Sequence, residues 1–128
     1  MVLTMPGRIL AAIDDLFFLV KVKDAATKAR VEMDLAQTPE SIVTKAREQQ
    51  PALIVLDLNA SALRPLDSIA ALKADPQTRD TPILAFVSHV QVDLKQQAQA
   101  AGADHVVARS AFSEKLPIIL QQTASRDN

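Results

Sequence analysis

Three carboxylates stand where short apolar runs end. Ile9, Leu10, Ala11, Ala12 and Ile13 lead into Asp14 and Asp15, and Ala52, Leu53, Ile54, Val55 and Leu56 lead into Asp57. A continuous apolar run of this length reads as a strand covered on both faces, as in a parallel sheet flanked by helices. Packing does not require an acid at the end of such a strand. In open α/β sheets, ligands bind beyond the carboxyl ends of the strands, where the winding reverses. If the first and third strands are neighbours, the three acids converge on one cleft. A cluster of that kind suits a hard cation such as Mg²⁺ and leaves a carboxylate oxygen available as a nucleophile.

The elements that must position these acids follow from hydrophobic periodicity. Apolar runs alternate with segments of helical period, which predicts an α/β fold built from strand–helix units. Strands are expected at 8–14, 31–36, 51–57, 82–88 and 105–108. Helices are expected at 16–30, 39–49, 66–73, 92–101 and 113–123. Thr38, Pro39 and Glu40 supply a cap, a proline at the first helical position and an acid in the first turn. Gly102 stops the fourth helix. Pro117 is acceptable only in or near a first turn, which sets the start of the last helix. On the first helix, Leu16, Leu19, Val20 and Lys23 fall on successive turns. Phe17 and Phe18 are consecutive, so they cannot both face one core.

Composition narrows the functions. The 128 residues fit one domain, 1–128, with a core at about 8–123. A hydrophobic share of 48% is enough for a genuine core. Lys+Arg 14 against Asp+Glu 15 gives a net charge of -1, which leaves no electrostatic footprint for nucleic acid or a membrane surface. The chain has no Cys, which excludes disulfides, thiolate catalysis and cysteine metal sites. No apolar stretch approaches the roughly 18 residues of a membrane span. The first residues lack the pattern of a signal peptide. A soluble cytoplasmic domain is expected.

Two tracts add specificity. Leu72-Lys73-Ala74-Asp75-Pro76-Gln77-Thr78-Arg79-Asp80-Thr81-Pro82-Ile83-Leu84 leads into the fourth strand, and Ala100-Ala101-Gly102-Ala103-Asp104-His105 into the fifth. Together with the acids ending strands one and three, they resemble the receiver domain of bacterial two-component response regulators, over nearly the whole chain. The resemblance implies a flavodoxin-like three-layer sandwich with a five-stranded parallel sheet of order 2-1-3-4-5 and helices on both faces. It implies that Asp57 is the phosphoacceptor, that Ser88 binds the phosphoryl group, and that Arg109 stands where receivers carry a Lys. It also implies that Asp14, Asp15 and Asp57, with the main-chain carbonyl of Asn59, bind Mg²⁺. The register of the acidic pair stays open. Aligning Arg8 with the usual basic residue puts Ile13 at the first acidic position and Asp14 at the second, whereas one extra residue restores both acids.

The sequence also departs from the receiver pattern. Arg109-Ser110 replaces Lys followed by a cis-linked Pro, and Arg is a planar fork rather than a compact charge on a flexible stem. His89 stands where a small residue is usual. The loop 60–67 lacks the Met-Pro and Asp-Gly elements, and Val106 replaces the aromatic switch residue.

The function implied is a stand-alone receiver, not an enzyme. Its Asp57 takes a phosphoryl group from a histidine kinase or phosphotransfer protein, and the signal leaves by contact with a downstream protein. The face formed by the fourth helix, fifth strand and fifth helix is the expected contact and homodimer surface. The alternative is a pseudoreceiver, a protein-binding module that works without phosphorylation. A small flavodoxin-like enzyme is disfavoured by the absence of a Gly-rich phosphate loop and of a Ser/His/Asp arrangement.

Overall fold

A computed structural model describes residues 7–88 and 91–125. Strands and helices alternate: β1 (Arg8–Ala12), α1 (Leu16–Lys28), β2 (Glu32–Leu35), α2 (Pro39–Gln49), β3 (Leu53–Asp57), a short 3-10 turn (Ser61–Leu63), α3 (Pro65–Ala74), β4 (Ile83–Val87), α4 (Val92–Ala101), β5 (His105–Ala108) and α5 (Arg109–Ser125). The sheet has the order β2-β1-β3-β4-β5, and every pairing is parallel. This is the flavodoxin-like arrangement expected from the sequence.

Alternation along the strands divides the core into two layers. Leu10, Ile54, Leu56, Ile83 and Ala85 pack with Ile42, Ala46, Ile69, Leu72 and Ala98 of α2, α3 and α4. Ile9, Ala11, Val55, Leu84 and Phe86 pack with α1 and α5, through Phe18, Leu19, Val22, Phe112, Leu116 and Leu120. Strands buried on both sides must be apolar throughout, which is why the acids appear only where β1 and β3 run out.

Local signals fix several boundaries. Thr38 and Ser41 form a capping box at the start of α2, and Pro39 sits in its first turn. Gln50 ends α2 in the left-handed region, and Gly102 closes α4 with φ 120°. The entry to β1 is pressed against α5, since a Cβ on Gly7 would lie 2.2 Å from the Thr123 carbonyl oxygen. Only glycine tolerates that approach.

Three expectations need correction. First, β1 stops at Ala12 rather than residue 14, so Ile13, Asp14 and Asp15 form the connection to α1. Second, the buried stripe of α1 is Phe18, Leu19, Val22 and Ala26, while Leu16 and Val20 face outward. Phe18 is buried and Phe17 is 90% exposed, which resolves the consecutive pair. Third, α5 begins at Arg109, directly after β5, and not at residue 113. With Ser110 in place of proline nothing forbids helix at that point. Pro117 consequently lies inside the helix rather than near its first turn. It is exposed there, where water can hydrogen-bond the carbonyl its missing N–H leaves unpaired.

Candidate functional site

Strand parity aims the central acid. Leu53, Val55 and Asp57 share one side of β3, the side covered by α1 and α5, and Asp57 is paired in register with Phe86 of β4. Asp57 therefore emerges at the strand end toward the start of α1 and the start of α5. It is 3% exposed. Its Oδ1 accepts the Asn59 main-chain N–H at 2.9 Å, and its Oδ2 lies 3.7 Å from Arg109 Nη2.

Asp15 reaches the same point from the other side. It is the N-cap of α1, accepting the Phe18 N–H on Oδ1, and its Oδ2 accepts Arg109 Nη1 at 2.8 Å. One guanidinium thus stands between carboxylates that are 42 residues apart in sequence (57 − 15 = 42). It also stacks on aromatic rings, with its central carbon 4.7 Å from the Phe18 centroid and 5.5 Å from that of Phe86. Those rings belong to a cluster in which Phe86 and Phe112 are parallel at 5.3 Å. Cation–π attraction and two acids together hold a planar cation in a way a lysine ammonium could not match. Arg109 Nε is buried with no hydrogen-bond partner among the described residues, so the guanidinium is placed by its other nitrogens and its flat face.

The charges respond to this placement. Burial pushes Asp57 above its ordinary range, against the pull of the Asn59 N–H and the Arg109 guanidinium, while the Asp14 and Asp15 charges add to the rise. The hydrogen bond from Arg109, helped by the Phe18 N–H, holds Asp15 below the usual carboxylate range. Asp14 is exposed beside them.

Asn59 and Ser88 complete the rim. Asn59 Oδ1 accepts the Ser88 main-chain N–H at 2.6 Å, and Asn59 Nδ2 donates to Gln91 Oε1 at 3.0 Å. The side chain of Asn59 thereby ties the loop after β3 to the segment after β4. Its main-chain carbonyl accepts the Ser61 N–H. His89 lies outside the described residues.

All six residues singled out in the sequence (Asp14, Asp15, Asp57, Asn59, Ser88 and Arg109) come to one rim of the sheet. Sequence reasoning missed Phe86, Phe18 as a stacking partner, and Gln91. For the two rings the available signal was their scarcity: four aromatics in the chain, three of them in one cluster and two of those against one cation. Gln91 carried no signal.

Of the donors named for Mg²⁺, Asp15, Asp57 and the Asn59 carbonyl are engaged with protein groups, and Asp14 is exposed. Asp15 and Asp57 turn toward Arg109, and the Asn59 carbonyl serves a turn. Among the described residues no group of three or more His, Cys, Asp or Glu is arranged to hold a metal ion. As they stand, the residues do not fit a divalent ion, because a guanidinium occupies the space between the two inner carboxylates.

No described helix is long and apolar enough to cross a membrane. No protein-family model matches the sequence, and no curated protein matches it significantly. Solved structures do match. A response regulator from Hahella chejuensis superposes with a TM-score of 0.83 at 18% identity, covering 95% of this chain and 98% of that one. The chemotaxis response regulator CheY4 of Vibrio cholerae gives 0.79 at 23% identity, over 92% and 98% of the two chains. The phosphorylated cyanobacterial phytochrome response regulator RcpA gives 0.76 at 17% identity, over 91% and 90%. Strand order, helix placement and these superpositions agree, and the chain has the fold of a response regulator receiver domain.

Proposed function

We propose that this chain is a receiver-type signalling module in which Asp57 accepts a phosphoryl group and the resulting state is passed on by protein contact. The observation that supports this reading is the place of Asp57, at the end of the central strand with an oxygen directed at a fixed cation. Asp57 Oδ2 would attack the phosphorus of a phosphohistidine on a kinase or phosphotransfer protein. The O–P bond forms, the N–P bond breaks, and the imidazole leaves with the bonding pair. Arg109 offsets the charge on the transferring oxygens, and Ser88 stands at the end of β4 to receive one of them. The reading puts the chain in the cytoplasm with its phosphodonor. The face of α4, β5 and α5 is the surface offered to a downstream protein or a second copy.

One observation favours the second reading, a module that works without phosphorylation. Asp57 is nearly inaccessible, and the cation beside it is already shared with Asp15. Incubation with a small phosphodonor such as acetyl phosphate separates the two. The first reading expects an acid-stable, base-labile adduct by intact mass, absent in Asp57→Asn. An adduct that survives in Asp57→Asn overturns the acceptor assignment. No adduct under any phosphodonor leaves the second reading.

A further inference from the structure

We infer that Arg109 is a built-in replacement for the divalent cation, so that the protein itself supplies the cation of this cleft and Mg²⁺ has no site in it until Arg109 is removed. The inference concerns the unmodified protein and does not rest on phosphorylation of Asp57.

Three features of Arg109 carry it. Its Nη1 bonds Asp15 Oδ2 at 2.8 Å while its Nη2 stands 3.7 Å from Asp57 Oδ2, so one delocalised charge serves both inner carboxylates. Those are the oxygens an ion in the cleft would need. The guanidinium is then fixed by the Phe18 and Phe86 rings, which a hydrated ion could not use. Finally, Arg109 is the first residue of α5 and follows Ala108, the last residue of β5, with no intervening loop. Its backbone is therefore held by the sheet on one side and a helix on the other, and little slack remains for it to swing aside.

The remaining donors do not compensate. Asp57 Oδ1 is taken by the Asn59 N–H and Asp15 Oδ1 by the Phe18 N–H. Mg²⁺ takes six oxygens in near-octahedral array and gives up its water reluctantly. With Arg109 present, Asp14 is the acid of the trio not drawn into this pairing, and one exposed carboxylate is no site. The partner of the two inner acids is a side chain.

The test is binding of Mg²⁺ alone, read by calorimetry and by thermal melting without any phosphodonor. Wild type is expected to show no saturable heat and no shift beyond that of an equal ionic strength of NaCl. Arg109→Met keeps an apolar stem over Phe18 and Phe86 but releases both carboxylates. It is expected to gain a saturable millimolar Mg²⁺ response, with melting raised by several degrees, and to lose that response again when Asp15→Asn is added. Arg109→Lys keeps the charge but reaches one carboxylate at a time, and its response should fall between the two. Saturable Mg²⁺ binding by wild type overturns the inference whether or not the variants fold. So does a Mg²⁺-insensitive Arg109→Lys. Adduct formation at Asp57 is a separate measurement, so either idea can fail alone.

Discussion

Asp57 at the centre of the sheet and Asp34 in the edge strand β2 are both drawn out of water, and their surroundings treat the charge in opposite ways. The Asp34 side chain is 39% exposed and accepts from the Gln49 amide, the Leu35 N–H and Lys45 Nζ. The bond from Gln49 leads the groups that hold it below the ordinary carboxylate range, and they outweigh its desolvation. The Asp57 side chain is 4% exposed and, among the described residues, accepts one main-chain N–H, with Arg109 at ion-pair rather than hydrogen-bond distance. There, desolvation wins and the carboxyl is pushed up. A carboxylate given enough donors is structural. One left short of donors, buried and beside other acids, costs stability where it stands.

The largest way to break this contrast is to remove the floor of the central site. Phe86 is fully buried, and it contacts Phe18, Phe112 and the Arg109 guanidinium. Phe86→Ala is expected to lower stability by about 3–5 kcal/mol in urea denaturation. A loss below about 1 kcal/mol would mean that the ring cluster is not a support.

Next comes the charge itself. Asp57→Asn keeps the shape and removes a poorly compensated charge, while Asp15 still pairs Arg109. It is expected to raise stability at pH 7 by about 1–2 kcal/mol. The sign with pH follows from linkage. Because the folded carboxyl sits above its ordinary 3.8, its penalty is fully present above the folded value and disappears as pH falls toward the unfolded one. The advantage of Asp57→Asn should shrink in acid. A destabilised Asp57→Asn at neutral pH would reverse the assignment of strain to this residue.

Asp34→Asn should act in the other direction, lowering stability by about 1 kcal/mol, with solvent screening already discounted because the group is more than a third exposed. Asp34 is held below 3.8, so its contribution is present above the unfolded value and is lost as pH falls through the folded one. Stability curves of the two variants against pH should therefore show opposite displacements from wild type at neutrality. Displacements of equal sign would erase the distinction. Smallest of all, Phe17→Ala should change stability by no more than about 0.5 kcal/mol, since that ring is 90% exposed.

Much of this was legible before any coordinates. Five apolar runs gave five strands, and the Thr38-Pro39 start and the Gly102 stop located two helix ends to the residue. The convergence of Asp14, Asp15 and Asp57 depended on the first and third strands being neighbours, an order that the resemblance implied and spacing alone could not fix. The start of α5 was not legible, because Ser113 and Pro117 imitate a helix entry while Ser110 removes the barrier that would have delayed it. Nor was the role of Arg109. An arginine after a short strand has many ways to turn, and its choice depends on two rings from α1 and β4, with no local trace in the sequence. The buried stripe of α1 failed for a related reason: every position from Leu16 to Val20 is apolar, so periodicity cannot say which ones face the sheet.

The contact between Gly7 and Thr123 has a practical consequence. In an all-parallel sheet every strand starts at the same rim, and residue 7 marks the rim opposite Asp57. Residue 123, near the last turn of α5, is beside it. A linker leaving the fold from either of these points departs on the side away from the acids, so attachment at residue 7 or 123 leaves the cleft facing the solution. Joining the two points to open the chain elsewhere would likewise leave the cleft untouched.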